Sequence, residues 1–458
     1  SCKELGIRTV VGYSDADNLS QHVQMADEAV HLGPSPAKQS YMDIGKVVDA
    51  ARKTGCDAVF PGYGFLSEDP EFAQACLDAK LNFVGPSPDV MALMGDKIKT
   101  KETLAKVGVP VIPGLNHIES GEEIVKFGKK VGWPIIIKAV AGGGGRGMQR
   151  VDSASQAEES LAKVLSISGK LFGNQDVYAE KYVANARHIE FQFMADSYGK
   201  VIHLGERECS IQRRHQKLVE EAPSTLLSET LRNRMGDVVV RAIKEIGYVS
   251  AGTLEFLVDP ELNFYAIEVN PRIQVEHSVT EMVVGLDLIR MMIRIASGQR
   301  LGVRQEDIFL RNHAIQCRIN AEDPRNNFAP SFGTVTLLRQ ISGPFIRADT
   351  GIYQGCEIPP YYDSLISKIS SIGKDRPTAI ERMRRALAEF EIWGIKTTIP
   401  LLEKIMEHPD FEIGRIDTGF IDKNLSILLD YVEEEDETLK LARFIAEISA
   451  IGKNLYCQ

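Results

Sequence analysis

Residues 253–272 read TLEFLVDPELNFYAIEVNPR, and this stretch decides the fold. Apolar residues alternate on both sides of a turn, so Leu254, Phe256 and Val258, then Tyr265, Ile267 and Val269, fill one face of a hairpin. A four-residue turn over 260–263 pairs Asp259 with Phe264 and sets Glu255 opposite Glu268. The second face then carries Thr253, Glu255, Glu268 and Asn270. Carboxylates directly across a sheet repel each other. A bound cation removes that repulsion, and oxygen ligands at this spacing suit Mg²⁺ holding a nucleotide phosphate. The alternative is an acidic face that is merely solvated.

The surrounding chain is ordinary globular material. Its 458 residues, 44% hydrophobic and 25% charged, suffice for one large core or two to three domains. A net charge of −10 argues against a nucleic-acid binder acting through its overall field, though local cationic pockets remain open to small anions. Cys2, Cys56, Cys76, Cys209, Cys317, Cys356 and Cys457 are scattered without C-x-x-C, which points to a reduced, cytoplasmic setting. The longest apolar helix, expected over 282–296, is interrupted by Asp287, Arg290 and Arg294 and reads as a core helix rather than a membrane span. Residues 1–6 read as the last turn of a helix stopped by Gly6, so the sequence as given is expected to lack a beginning.

Short β runs at 9–13, 58–60 and 82–84 alternate with helices at 44–54 and 70–79, the pattern of a parallel α/β domain over 1–84. A helical linker covers 85–109, with helix expected over 87–107. Strands at 135–139, 148–151 and 177–181 make a smaller α+β unit over 110–183. Residues 184–424 form a larger mixed domain containing the hairpin, and 425–458 a tail with an amphipathic helix at 438–451.

The strand ending at Lys138 runs into Ala141-Gly142-Gly143-Gly144-Gly145-Arg146-Gly147. A dinucleotide fold needs a helix next, whereas Met148-Gln149-Arg150-Val151 reads as a second strand, and no G-K-[ST] follows. The remaining reading is a mobile flap whose bare N–H groups close over phosphates, with Lys138 as a fixed charge. A flexible hairpin tip is the plainer alternative. Glu180 and Lys181, in the apolar strand before Val183, fit either an adenine pocket or a surface edge. Residues 206–217, rich in donors, fit a small-anion site better than a nucleic-acid patch. Arg272 has the fork to hold a planar oxyanion, and Glu276 in the same loop is a candidate general base. His188-Ile189-Glu190 resembles half a deaminase zinc motif, but no P-C-x-x-C completes it.

In combination these motifs closely resemble biotin carboxylase, the ATP-grasp component of biotin-dependent carboxylases. The resemblance runs over nearly all of 1–424 through Gly62-Tyr63-Gly64-Phe65-Leu66-Ser67-Glu68, Met94-Gly95-Asp96-Lys97, the glycine flap, 210–217, 268–276 and 317–323. It implies an ATP-grasp fold with an N-terminal parallel α/β domain and a C-terminal mixed domain. It also implies a ligase in which bicarbonate attacks ATP to give carboxyphosphate, whose CO₂ carboxylates biotin. By the same resemblance Lys97, Lys138, Gly143, Gly144, Glu180, Lys181, Val183 and His188 line the nucleotide site, with Gln212 and His215 near ribose and phosphates. Glu255, Glu268 and Asn270 hold Mg²⁺ or Mn²⁺. Lys217, Arg272, Gln274 and Val275 bind bicarbonate, Glu276 removes its proton, and Arg318 stabilises charge on the biotin ureido oxygen. The implied partners are a biotin carboxyl carrier protein, on another chain or on a part not present here since no Ala-Met-Lys-Met sequence occurs, a carboxyltransferase subunit and a second copy in a homodimer.

The chain departs from the family in three places. The family opens with a strand and an Asn-Arg-Gly-Glu-Ile turn that precede residue 1. Ser331-Phe332-Gly333-Thr334 replaces Ser-Pro-Gly-Lys, and Ser278 and Val284 stand where Pro or Thr is usual. A different ATP-grasp ligase would share the flap and the metal face but not the 212–217 segment. A catalytically dead scaffolding subunit is the third reading.

Overall fold

The computed structural model describes residues 1–140, 147–172 and 176–431. Four short strands, β1 (Val10–Ser14), β2 (Glu28–Gly33), β3 (Ala58–Val59) and β4 (Asn82–Phe83), form two parallel pairs, β1 with β2 and β3 with β4. This is the expected parallel layer, with β2 as a strand the sequence reading lacked. Its helices run Ile44–Lys53 and Pro70–Asp78. The second starts sharply because Asp69 accepts from the Glu71 and Phe72 amides and Pro70 fills the first turn. Leu66, Phe72, Cys76 and Phe83 pack together beneath the Gly62–Glu68 segment and fix where Glu68 leaves the surface.

Two expected helices are each divided. The stretch 87–107 breaks into Pro88–Gly95 and Lys97–Lys106, because the Asp96 carboxylate caps the Ile98 and Lys99 amides and starts a new helix at Lys97. The stretch 282–296 belongs to two helices, His277–Val284 and Leu288–Ala296. Gly285 ends the first at φ 70°, and Asp287 caps the second through the Arg290 amide.

A four-stranded sheet of β5 (Gly114–Leu115), β6 (Ile135–Ala139), β7 (Met148–Val151) and β8 (Val177–Lys181) has the order β5-β8-β6-β7. β6 and β7 pair antiparallel on either side of the glycine segment, whose residues 141–146 lie outside the described residues. β8 is interior to this sheet, which removes the surface-edge reading of Glu180.

The larger sheet has eight strands. β9 (Arg187–Ala195), β10 (Val201–Arg213), β11 (Gln216–Ala222), β12 (Ser250–Val258), β13 (Phe264–Asn270), β14 (His313–Asn320) and the strands Ile346–Thr350 and Leu365–Gly373 follow the order β13-β12-β9-β10-β11-β14, then Leu365–Gly373, then Ile346–Thr350. Phe191, Phe193, Leu254, Phe256, Phe264 and Val269 pack one face of it against the helix Glu229–Ile246. The opposite face carries His188, Glu190, Gln192 and Glu255, and beyond them Met194, Ile202 and Ala251 pack against the helix Leu288–Ala296.

The β12–β13 hairpin corrects the expected turn. The Asp259 amide bonds the Asn263 carbonyl and Leu262 sits at φ 65°, so the tip is the three residues Pro260, Glu261 and Leu262. Val258 therefore pairs with Phe264. A bulge at Ile267 then restores the register, and Glu255 does fall opposite Glu268. Between tip and bulge the faces are exchanged: Phe264 and Ala266 are buried with Leu254, Phe256, Val258 and Val269, while Tyr265 and Ile267 are not.

Candidate active site

Lys217 is the hub of the polar face. A two-residue turn with Arg214 at φ 48° and His215 at φ 67° joins β10 to β11 and sets Lys217 opposite Gln212. Its Nζ lies 2.5 Å from Glu190 Oε2, 2.8 Å from Glu276 Oε1, 3.0 Å from Glu255 Oε1 and 3.4 Å from Gln274 Oε1. Beneath it the buried Arg207 donates to Glu190 (2.5 Å), Gln192 (2.8 Å), Thr280 (3.0 Å) and Thr253 (3.2 Å). Burial works against the Glu276 carboxylate, yet Lys217, Arg318 and Arg207 outweigh it and hold the group well below the usual carboxylate range. Burial raises Glu190, and the charges of Glu276 and Glu255 oppose the help of Arg207 and Lys217, so its proton is held more tightly than usual.

The expected metal face is assembled around Glu255. Its Oε1 accepts from Lys217, from Asn270 Nδ2 at 2.8 Å and from Gln274 Nε2 at 2.9 Å, while its Oε2 meets His188 Nε2 at 2.7 Å. Burial, then the facing Glu255 charge, pushes Glu268 upward. Carboxylate pairs and an amide suit a hard divalent cation. That cation would have to take over oxygens of Glu255 now held by Lys217 and His188. Asn270, which now presents its NH₂, would have to turn its oxygen inward. Among the described residues His188, Glu190 and Glu255 are a group whose ligand atoms lie close enough to hold a metal ion, which places His188 beside the expected metal face.

Some of the expected nucleotide residues meet on the smaller sheet and on the helix that begins at Lys97. Glu180, buried in β8, is paired with Lys138 at 2.6 Å and with Lys101. Burial, then the charges of Lys138 and Lys97, draws the Lys101 ammonium down to about 7; burial, then Lys97, draws Lys138 down to about 8, and the Glu268 carboxylate acts the other way on both. Lys97, first residue of its helix, carries charge felt by Lys138 and Glu268. Gln212 Nε2 lies 3.2 Å from His188 Nδ1, and desolvation of its ring, then the charges of Lys138 and His188, lowers His215. Lys181 points outward and Val183 follows the strand half-buried, while Gly143 and Gly144 lie outside the described residues.

Lys101 was missed. It sits one turn beyond Lys97 on the same helix face, with its ammonium 5.0 Å from the Tyr178 ring centre. Lys101→Met is expected to leave Glu180 to Lys138 alone and to weaken MgATP binding about tenfold, read by nucleotide titration, with Lys101→Arg restoring most of it.

Arg318 and Arg272 part company. Arg318 donates to Glu220 at 2.5 Å and to Glu276 Oε2 at 2.9 Å, joining the Lys217 hub. Arg272 instead donates through Nε to Glu68 of the N-terminal layer at 2.5 Å and through Nη1 to the Ile273 carbonyl at 3.2 Å. Gln274 reaches the hub, and Val275 is its half-buried neighbour.

Glu190 was legible. His188, Glu190 and Gln192 alternate with Ile189, Phe191 and Phe193, a two-faced strand whose polar side was passed over for a zinc motif. Glu220 gave no such signal, because Arg318 reaches it across 98 residues; Arg207 lay within the donor-rich 206–217 stretch and Glu68 within the Gly62–Glu68 segment, but nothing local pointed to Glu190 or Arg272 as their partners.

Matches to known families follow this geometry. The family model described as biotin carboxylase N-terminal domain matches residues 1–91, that of the carbamoyl-phosphate synthase L chain ATP binding domain matches 96–304, and that of the biotin carboxylase C-terminal domain matches 316–423. Biotin carboxylase of Nostoc sp. is 49% identical over 422 residues, 92% of this chain and 94% of the relative. The 2-oxoglutarate carboxylase small subunit of Hydrogenobacter thermophilus is 46% identical over 98% of this chain and 94% of its own. The biotin carboxylase domain dimer of that enzyme, solved with MgADP, ADP and bicarbonate, superposes with a TM-score of 0.90 at 46% identity, covering 94% of this chain and 95% of the other. The Campylobacter jejuni biotin carboxylase solved with β,γ-ATP gives 0.89 at 44% identity, over 92% and 94%. The chain belongs to the biotin carboxylase family, as an ATP-grasp ligase.

Proposed function

We propose that the Lys217 cluster is the place where bicarbonate is deprotonated and brought to the γ-phosphoryl group of ATP, and that biotin is then carboxylated beside Arg318. The carrying observation is the bridging of Glu276, one oxygen on Lys217 and the other on Arg318. That bridge puts a base between an anion seat and a corner for the biotin ureido group. Bicarbonate is a poor nucleophile, so orientation by Lys217, Gln274 and Arg272 and removal of its proton by Glu276 lower the same barrier. Arg272 has to leave Glu68 to join the clamp. Lys97, Lys138 and His188 fix the phosphates, and Glu180 with Val183 faces the base. A divalent cation at Glu255, Glu268 and Asn270 would neutralise phosphate charge.

The biotin is carried by a biotin carboxyl carrier protein or domain, and a carboxyltransferase completes the reaction. The homodimeric assembly seen for the Hydrogenobacter thermophilus domain is proposed here as well. Among the described residues no helix is long and apolar enough to cross a membrane.

The test is ADP release with MgATP, with and without bicarbonate and free biotin. Release is expected to require bicarbonate, to rise with biotin and to vanish when EDTA removes the metal. Bicarbonate-dependent release that biotin leaves unchanged would point to another ATP-grasp ligase instead.

A further inference from the structure

The anion loop 272–276 is held from behind by a lysine that neither the sequence reading nor the nucleotide site uses. Three successive carbonyls of this loop are taken. The Gln274 carbonyl accepts from the His277 amide at 3.2 Å and lies 2.7 Å from His277 Nδ1. The Glu276 carbonyl accepts from the Val279 amide at 3.2 Å. Those two bonds are local, made by the helix that begins at His277. The Val275 carbonyl between them is bonded by a distant side chain, Lys368 Nζ, at 2.9 Å.

Lys368 lies on Leu365–Gly373, in register with Arg318 on β14 and with Asp349 on the other side. Its side chain is 7% exposed, its Nζ is 3.4 Å from Asp349 Oδ2, and it sits 5.8 Å from the centre of the Tyr63 ring. Asp349 is itself held by Arg347 at 3.0 Å, so the ammonium is not fully neutralised by it. A buried ammonium is costly, and burial lowers this one despite Asp349. Its placement on a single carbonyl therefore calls for a reason beyond packing.

The peptide bond supplies that reason. In a trans peptide the carbonyl of one residue and the N–H of the next point in opposite directions. Drawing the Val275 carbonyl toward Lys368 turns the Glu276 N–H the other way and keeps a carbonyl dipole from facing a bound anion. It also fixes the Glu276 side chain between Lys217 and Arg318.

We infer that Lys368 is a positioning residue for bicarbonate: it holds the Val275 carbonyl away from the anion seat and so sets the Val275–Glu276 peptide for binding. The inference rests on the proposed use of the 272–276 loop as the bicarbonate seat. It predicts a selective defect. Lys368→Met is expected to raise the KM for bicarbonate about tenfold while the KM for MgATP stays within twofold, and Lys368→Arg is expected to recover most of the loss.

The experiment measures both KM values in bicarbonate-dependent ATP turnover, with thermal melting alongside, for the wild type, Lys368→Met, Lys368→Arg and Gln274→Ala. A bicarbonate KM unchanged in both Lys368 variants overturns the inference. So does a parallel rise in both KM values with a lowered melting temperature, which marks a merely structural lysine. If Lys368→Met fails to fold, Lys368→Gln, whose shorter side chain falls short of the Val275 carbonyl, takes its place: a bicarbonate-selective rise in KM supports the role, and an unchanged bicarbonate KM removes it. Gln274→Ala separates the two levels. If it raises the bicarbonate KM while the Lys368 variants do not, the loop is the seat and Lys368 is not its support. If Gln274→Ala has no effect either, the seat itself is misplaced.

Discussion

Glu276→Gln is expected to lower kcat for bicarbonate-dependent ATP turnover by roughly 10²–10⁴-fold while leaving the KM for MgATP near its wild-type value. The substitution keeps the volume of the side chain and removes its charge and its ability to take a proton. Lys217 and Arg318 each donate to one oxygen of Glu276, and an amide has only one oxygen to offer. Its NH₂ must therefore face one of the two cations, so a loss of biotin carboxylation accompanies the loss of ATP turnover. The pH dependence of stability follows the sign of the shift. Glu276 is held below the carboxylate range, so its stabilising contribution is fully present above its unfolded value of about 4.3. That contribution is lost as pH falls through the lower folded value, and acid unfolding should be steeper in the wild type than in the variant. Turnover within threefold of wild type would remove Glu276 from the chemistry.

The hairpin shows how sequence and structure can agree for partly wrong reasons. Period-two alternation and the opposition of Glu255 and Glu268 were readable, because apolar burial fixes which face a strand turns inward. The turn was read one residue too long, and the bulge at Ile267, which no local pattern announces, offset the error. Glu190 was readable by the same alternation. Lys101 and Glu180 meet only because a helix and an interior strand pack together. Arg272 and Glu68 lie 204 residues apart, and Lys368 reaches Val275 across 93, so no spacing rule brings either pair to light. Helix breaks were the commonest local error. Asp96 and Asp287 each restart a helix inside an apolar run, and the capping chemistry at both was present in the sequence.

Arg207→Met is expected to produce the largest loss of stability, about 3–5 kcal/mol in urea unfolding, because it takes from a buried carboxylate one of the two cations that hold it. Arg207 has no solvent exposure and its guanidinium stays charged, so each of its four partners relies on it for a donor. Glu190 retains only Lys217, and its proton affinity, already raised by burial, is expected to climb further. The double variant Glu190→Gln with Arg207→Met distinguishes charge from packing. If the uncompensated carboxylate is the cause, the double variant recovers part of the lost stability, since the charge that needed an arginine is gone. If packing is the cause, the two losses add. A functional consequence follows in either case. In Arg207→Met, Lys217 is drawn harder toward Glu190, away from Glu255 and Glu276, and bicarbonate has to compete with that pull. The bicarbonate KM should therefore rise in the single variant and fall back in the double one. A bicarbonate KM that tracks stability alone would show that Arg207 supports the sheet and not the charge balance of the hub.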